Sequence, residues 1–198
     1  MRSITVVIGA AIAAVSAITV TAADTTSVKV ASAKVTITGT TNVHGYTAAT
    51  STVKLTSVKL GAFDGDLFAL VQKPSLVESF EIVIPAASLK SPKDGIDKNM
   101  HKALKVGTFA EITYRVKSME KTAAGLRALG SLTIAGVTKD VALDLTAGRS
   151  GSNLSVVGEI PLVMTDYGVT PPKAMMGMMR TDPKITIRIE LVLAASVS

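Results

Sequence analysis

The chain of 198 residues contains no cysteine and no tryptophan, and aromatic residues make up only 4% of it. Without cysteine there is no disulfide bond, no thiolate nucleophile and no lipid attachment through an N-terminal cysteine. Surfaces that bind nucleic acid usually combine clustered basic charge with aromatic rings that stack on bases. The excess of 21 Lys and Arg over 15 Asp and Glu is small and spread along the chain, so nucleic acid is not an expected partner.

Motifs that carry catalysis are also missing. The chain has no Gly-x-Ser-x-Gly elbow, no phosphate-binding loop and no Gly-x-Gly-x-x-Gly fingerprint. Its two histidines, His44 and His101, lie far apart in sequence, whereas zinc sites need three or four ligands. We therefore expect no enzyme activity, no metal site and no cofactor other than a bound lipid.

The N-terminus has the pattern of a secretory leader. Arg2 precedes an apolar run from Ile4 to Val20, and the small residues Thr21 and Ala23 stand at positions −3 and −1 of a cut before Asp24. The pattern predicts a cleaved signal peptide over residues 1–23, one domain over residues 24–198, and a periplasmic or secreted mature protein. A retained anchor helix is the alternative.

Beyond the leader, apolar and polar residues alternate with a period of two. In residues 184–193, for example, Ile185, Ile187 and Ile189 share one face while Thr186 and Arg188 share the other. Such alternation predicts strands with one buried and one solvated face. Further strands are predicted at 32–40, 48–60, 80–84, 112–116, 125–134, 137–145 and 154–162. Gly-containing turns at 121–125, 134–140 and 147–153 link neighbours as hairpins, so the eight or nine strands should pair antiparallel.

One segment, 88–109, breaks the alternation. Ile96, Met100 and Leu104 recur at a spacing of four residues, which predicts a short amphipathic helix that lies on the sheet or closes one end of a barrel. The lysines at 98, 102 and 105 fall on the other side. They could receive an anionic headgroup, although an ordinary solvated helix face is the simpler interpretation.

We predict a closed barrel of these strands with its polar face toward water, and keep a sandwich and a membrane barrel as alternatives. A membrane barrel needs aromatic girdles, and the polar faces here carry full charges such as Arg115, Lys117, Arg188 and Glu190. A barrel of about eight strands is just wide enough to be filled by side chains or to hold one small ligand.

Four methionines, Met175, Met176, Met178 and Met179, flank one glycine between Pro171-Pro172 and the last strand. Thioethers are soft ligands that select Cu(I), but they are also flexible apolar groups suited to irregular gaps and adaptable binding surfaces. The position predicts a barrel rim, so plugging of the rim or contact with an apolar ligand is favoured, and copper handling is the alternative.

Four stretches carry a resemblance to a known family: TGTTNVHGYT (38–47), DKNMHKALKVGTFAEITYRV (97–116), GSLTIAGVTKDVALDL (130–145) and GEIPLVMTDYGVTPPKAMMGMMRTDPKITIRIEL (158–191). The chain resembles the YceI-like family of polyisoprenoid-binding or lipid-binding periplasmic proteins. The resemblance implies an all-β, extended antiparallel eight-stranded barrel, lipocalin-like in outline, with one short amphipathic helix and a long apolar cavity. The chain departs from the family at Tyr46, where tryptophan is common. It also departs at the methionines of 175–179, which replace a segment that is usually mixed aliphatic and aromatic.

The resemblance also implies roles for individual residues. His44 and Tyr46 match a pattern near the barrel mouth, Met100, His101 and Leu104 match the helix motif, and Tyr167-Gly168 matches a turn before the last strand. Together with the apolar strand faces, the candidate residues of the cavity or its rim are Val35, Ile37, His44, Tyr46, Phe80, Ile82, Ile84, Met100, Leu104, Ile112, Tyr114, Val116, Leu132, Ile134, Val141, Leu143, Met175, Met176, Met178 and Met179.

The resulting hypothesis is an exported binding protein that sequesters or carries an isoprenoid or other long-chain amphiphilic lipid in the barrel. A ligand-free structural or stress-related exported protein is the first alternative, and methionine-based copper handling is the second. The expected partner is a hydrophobic small molecule or lipid, without stable membrane insertion. A homodimer is left open.

Overall fold

The computed structural model describes residues 26–197, with the side chains of 26, 174, 175 and 197 left out. The leader predicted over residues 1–23 lies outside the described residues. Within them, no helix is both long enough and apolar enough to cross a membrane.

One antiparallel sheet dominates the chain. Its strands are β1 Thr26–Thr41, β2 Gly45–Thr50, β3 Lys54–Leu60, β4 Val77–Pro85, β5 Glu111–Thr122, β6 Gly125–Ile134, β7 Val137–Ser150, β8 Asn153–Val163, β9 Lys173–Ala174 and β10 Met179–Val197. Nine of them follow the order β2-β1-β10-β8-β7-β6-β5-β4-β3, and β9 pairs with β10. The first and last long strands are therefore neighbours, which brings the two ends of the sheet's sequence together.

Helices are few and short. They are α1 Ala69–Gln72 and α2 Asp94–Ala103, with single 3₁₀ turns at Pro74–Leu76, Ala86–Ser88, Met164–Tyr167 and Met175–Gly177. The amphipathic helix predicted within 88–109 is α2. The four-residue α1 has no counterpart in the sequence-based prediction.

The structure confirms the all-β, antiparallel prediction and changes its details. The ordered path has nine strands rather than eight, and the strand predicted over 48–60 is two strands, because residues 51–53 leave the ladder between β2 and β3. A bulge interrupts β3: Ser57 has φ +50°, and the β3–β4 register shifts between Thr56 and Lys59. A bulge of this kind bends the strand.

The sheet curls into a barrel shape that stays open along one seam. Its edge strands, β2 and β3, follow each other in the chain but share no ladder among the described residues. The segment that leads to α2 crosses this seam, where Ala49 N–H donates to the Lys90 carbonyl (2.7 Å) and Lys90 N–H donates back to Ala49 (2.9 Å). Backbone hydrogen bonds thus hold the segment that precedes α2 against the edge strand β2.

The alternation resolves into an apolar interior and a charged exterior. On β5, Ile112, Tyr114 and Val116 are buried while Arg115 and Lys117 are exposed. The outer faces carry ion pairs between neighbouring strands, with nitrogen to oxygen distances of 2.6–2.9 Å, namely Arg115–Glu81, Arg127–Asp144 and Arg188–Glu159. Exposed pairs of this kind add little stability, about 0–1 kcal/mol each, so the interior apolar packing holds the fold.

A glycine makes room for the ring of the buried Tyr114. The Tyr114 hydroxyl donates to the Ala128 carbonyl at 2.9 Å, and its ring crosses Gly130 on the neighbouring strand. A Cβ at Gly130 would collide with the Arg115 carbonyl oxygen and lie 3.0 Å from two carbons of the Tyr114 ring. Burial raises the pKa of Tyr114 to about 12, so the phenol stays neutral at physiological pH.

We expect Gly130→Ala to lower the free energy of unfolding by about 1–3 kcal/mol, because the added methyl overpacks a closed site. Gly148→Ala is the matched control, since Gly148 lies in β7 and a Cβ there meets nothing within 4 Å. Urea denaturation measures both. Equal midpoints for the two variants would contradict the proposed close contact.

The stability of the protein should also depend on pH because of Tyr114. Its pKa is raised in the folded state, so its contribution to stability is complete below the unfolded pKa of about 10 and is lost as pH rises toward about 12. The stability difference between wild type and Tyr114→Phe should be constant from pH 7 to about 9.5 and shrink above about pH 10. Urea midpoints of both proteins across this range give the difference, in which other titrating groups cancel. A constant difference up to pH 11.5 would show that the phenol is not shielded.

Candidate functional site

A cavity of about 480 Å³ lies at one end of the barrel, between the sheet and α2. Its walls are mostly aliphatic, and its polar side chains come from the hairpin β1–β2, from α2 and from the segment before β10. The lining residues are Ile37, Thr41, His44, Tyr46, Lys93, Gly95, Ile96, Asn99, Met100, Ala103, Leu104, Ile112, Ile134, Leu162, Met164, Tyr167, Val169, Pro172, Lys173, Met179, Thr181, Ile185 and Ile187. The volume falls within the range of about 300–1,000 Å³ that is typical of small-molecule sites.

Two much smaller cavities continue along the barrel, of about 40 and 70 Å³. Ile37, Ile112 and Ile187 line both the large cavity and the 40 Å³ cavity. Tyr114 and Leu143 line both small cavities. The interior is therefore a row of three apolar spaces, separated only by side chains that two adjacent spaces share.

Helix α2 covers the large cavity with its apolar side. Ile96, Met100 and Ala103 line the space from this helix. His101 lies outside the lining and fastens the helix, since its Nε2–H donates to the Leu89 carbonyl at 2.8 Å. This hydrogen bond gives His101 a structural role, because it holds α2 against the segment that precedes the helix.

Asp97 is a second residue that holds α2 in place, and it is 7% exposed. The Ser91 N–H donates to its Oδ1 at 2.6 Å, and Lys90 Nζ lies 3.6 Å from its Oδ2. Burial alone would raise the pKa of Asp97, but the Ser91 hydrogen bonds and the charge of Lys90 hold that pKa below its ordinary value. Asp97 is thus a charged anchor at the start of the helix.

Tyr46 and His44 stand on the hairpin at the mouth. Tyr46 pairs with Gly39 in the β1–β2 register, and its ring lies against Gly39 so closely that a Cβ there would collide with the phenol. Burial and then the nearby Asp182 carboxylate raise the pKa of Tyr46, so its hydroxyl keeps its proton. His44 donates from Nδ1 to the Gly45 carbonyl at 2.9 Å, and its ring is exposed.

Tyr167 is a buried cavity-wall residue with an unpaired hydroxyl. The residue is 2% exposed, and its Oη is a buried polar atom with no hydrogen-bond partner among the described residues. Burial and then Asp166 raise the pKa of Tyr167. A buried donor without a partner costs about 1–3 kcal/mol, so an acceptor brought by a ligand would be favourable here.

The methionines do not form one cluster. Met179 lines the large cavity, whereas Met176 and Met178 are 103% and 69% exposed, and the side chain of Met175 is among those not described. Met176 has φ +55° and Gly177 has φ +91°, so the backbone turns here and carries Met176 away from the barrel. Met176 and Met178 therefore do not plug the rim, and their contact with an apolar ligand stays a prediction.

The other candidates divide between the three cavities. Ile37, His44, Tyr46, Met100, Leu104, Ile112, Ile134 and Met179 line the large cavity. Those that line the smaller cavities are Val35, Phe80, Ile82, Ile84, Tyr114, Val116, Leu132, Val141 and Leu143. The structure thus brings the first group together, and their part in ligand binding stays a prediction.

Several lining residues were not among the predicted ones. Ile185 and Ile187 carry the period-two signal of the last strand, and Ile96 and Ala103 carry the helical spacing of α2, so both pairs were within reach of sequence patterns. The others missed are Thr41, Lys93, Gly95, Asn99, Leu162, Met164, Tyr167, Val169, Pro172, Lys173 and Thr181. Five of these, Lys93, Met164, Tyr167, Val169 and Pro172, lie in loops or in a 3₁₀ turn that only the fold brings to the cavity.

No group of three or more His, Asp or Glu side chains that could hold a metal ion occurs within residues 26–197. This observation covers nitrogen and carboxylate ligands and does not cover the thioethers of methionine. Copper binding by methionine thioethers stays a prediction.

Solved structures share this architecture at low sequence identity. BcnA of Burkholderia cenocepacia superposes with a TM-score of 0.63 at 18% identity, covering 81% of this chain and 95% of its own. A polyisoprenoid-binding domain of Saccharophagus degradans, implicated in plant cell wall breakdown, gives 0.62 at 12% identity, with 85% and 98% covered. The Campylobacter jejuni YceI protein gives 0.51 at 18% identity, with 74% and 84% covered. These likenesses establish the fold.

A search of curated protein sequences finds no match. The model of the YceI-like domain, in contrast, matches residues 18–193. This match spans nearly all of the barrel, including the hairpin at the mouth, helix α2 and the last strand. The chain therefore belongs to the YceI-like domain family.

Proposed function

We propose that this protein is an exported binding protein that holds an isoprenoid or another long-chain amphiphilic lipid in the barrel. The observation that carries the proposal is the 480 Å³ cavity, whose walls are aliphatic and whose polar side chains gather at its mouth. The polyisoprenoid-binding domain of Saccharophagus degradans, which has the same fold, supports the choice of ligand class.

The apolar walls suit a hydrocarbon tail. Burying such a tail is favourable by about 25 cal/mol per Å² of apolar surface, and few polar groups in the walls would lose hydration. Ile37, Ile112 and Ile187 separate the large cavity from the next one. Rotation of such aliphatic side chains would let a longer tail pass toward the centre of the barrel.

The mouth suits a polar headgroup. Lys93 and Lys173 contribute positive charge, Asn99 contributes an amide, and His44 contributes an imidazole nitrogen. An anionic or hydroxyl headgroup placed there would find donors while its tail stays in the dry interior. The unpaired Tyr167 hydroxyl adds one buried donor to this set.

Filling the cavity tests the proposal. Ala103→Trp places a large side chain from α2 into the lined space, and we expect it to weaken binding of geranylgeraniol at least about tenfold, a loss of about 1.4 kcal/mol or more. Equilibrium binding of the radiolabelled prenol to purified protein measures the dissociation constant.

The matched control is Ala142→Trp, because Ala142 is exposed on the outer face of β7. It should bind the prenol like wild type. Far-UV circular dichroism checks that both variants are folded. Equal affinities of the two variants, or no measurable binding by folded wild type, would contradict ligand binding in this cavity.

Export is a separate part of the proposal, and the leader pattern over residues 1–23 supports it. When the full chain is produced in a Gram-negative host, we expect the periplasmic fraction to contain a protein whose N-terminal residue is Asp24. Intact mass spectrometry gives the cut site. An uncut chain that stays with the membrane fraction would favour a retained anchor instead.

A further inference from the structure

Exposed apolar side chains gather at one place on the surface. Among the described residues, four large hydrophobic side chains are exposed: Val43 (65%), Leu129 (37%), Met176 (103%) and Met178 (69%). Leu129 stands alone on the outer face of β6. The other three belong to two loops, the β1–β2 hairpin and the segment before β10.

Hydrogen bonds hold these two loops together. The Asn42 side chain donates to the Met178 carbonyl at 2.9 Å and accepts from the Arg180 N–H at 2.8 Å, and the Asn42 N–H donates to the Arg180 carbonyl at 3.1 Å. Val43 follows Asn42 directly, so the hairpin tip that carries it is bonded to the segment that carries Met178. We name Val43, Met176 and Met178 the rim patch.

The rim patch borders the mouth of the large cavity. Thr41 and His44, on either side of Val43 and Asn42, line that cavity, as do Lys173 and Met179 next to the methionine turn. A ligand that leaves or enters through this mouth would therefore pass the rim patch.

Basic groups surround the same mouth. Lys93 and Lys173 line it, and Arg180 ends the methionine turn. Lys98 and Lys102 are exposed on α2 and lie outside the set of α2 residues that line the cavity. None of these five forms an ion pair among the described residues. The nearby acids are Asp94, Asp166 and Asp182, so positive charge is in excess.

We propose that the rim patch and the basic groups around it dock the barrel mouth on the surface of an anionic lipid bilayer. Exposed apolar residues that insert at the headgroup level, flanked by Lys and Arg, are the features by which proteins bind such surfaces reversibly. This inference goes beyond the proposed function, because it names the surface against which the mouth opens.

Vesicle cosedimentation tests the proposal with the purified mature protein. The probes are vesicles of phosphatidylglycerol with phosphatidylethanolamine and, separately, vesicles of phosphatidylcholine. We expect binding to the anionic vesicles that weakens as salt rises, and binding to phosphatidylcholine that is weaker by about tenfold or more.

Two variants separate the apolar and the charged contributions. The triple variant Val43→Ser, Met176→Ser, Met178→Ser should lose at least about tenfold of the anionic-vesicle binding, and Lys93→Gln with Lys173→Gln should lose several-fold and flatten the salt dependence. The controls are Leu129→Ser for an exposed apolar residue away from the mouth, and Lys34→Gln with Lys54→Gln for exposed lysines on the strands. Both controls should bind like wild type.

Each other outcome overturns the proposal. Equal binding by the triple variant and Leu129→Ser would remove the role of the rim patch, and equal binding to both vesicle types would remove the role of charge. A dimer in sedimentation velocity that the triple variant abolishes, without vesicle binding, would assign the patch to a second copy of the chain.

The cavity-filled variant Ala103→Trp distinguishes this proposal from the proposed function. It should bind vesicles like wild type while it fails to bind the prenol. Vesicle binding by a wild-type protein that does not bind the prenol would support the docking surface and contradict the proposal of a lipid ligand in the cavity. Prenol binding without vesicle binding would do the reverse.

Discussion

The interior of this barrel must be filled by side chains that nine strands turn inward, and the chain supplies mostly Val, Ile and Leu for that purpose. It has four Phe, three Tyr and no Trp in 198 residues. Interiors pack to the density of organic crystals where side chains can meet. At the end covered by α2 they do not meet, and a space of about 480 Å³ remains. The cavity is a consequence of filling a wide barrel with small aliphatic groups.

The few aromatic side chains are used in a different way, because three of them lie against glycines. Tyr114 crosses Gly130, Tyr46 lies on Gly39, and Phe109 lies on Gly136, where a Cβ would in each case collide with the ring or the backbone beside it. The missing side chain at each glycine therefore gives the ring its place, and the contact with Gly39 fixes the Tyr46 ring at the cavity that it lines.

Helix α2 makes the cavity a covered site rather than an open funnel. The helix is held by hydrogen bonds on one face, because Asp97 and His101 are four residues apart and both contact the segment 89–91, through Ser91 and Leu89. Its approach is fixed across the seam by the backbone pair of Ala49 and Lys90. The seam between β2 and β3 therefore does not weaken the site, since the segment that crosses it also positions α2.

Much of the fold was predictable, because alternation of period two reports directly which residues face the interior. Ile112, Tyr114 and Val116 were assigned to the inner face, and they are buried. The break at residues 51–53 was not predicted, because a corner between two short strands keeps nearly the same alternation as one long strand.

Periodicity predicted the site only where it lies on regular elements, and the loop residue His44 came from the family resemblance. Ile37, Ile134 and Met100 follow from strand and helix periodicity. Lys93, Lys173 and Tyr167 do not, because a loop, the two-residue β9 and a 3₁₀ turn reach the cavity through tertiary contacts that leave no periodic signal. Met176 and Met178 were expected at the rim as apolar plugs, but the left-handed backbone at Met176 and Gly177 turns this segment outward.

The most direct measurement is mass spectrometry of an organic extract of the protein, purified without detergent from its own cells. We predict an isoprenoid or another long-chain amphiphile at a ratio near one per protein in wild type, and its depletion when the cavity is filled. A correctly folded wild-type protein that yields no bound amphiphile, and takes none up when offered, would contradict a lipid-binding role for this barrel.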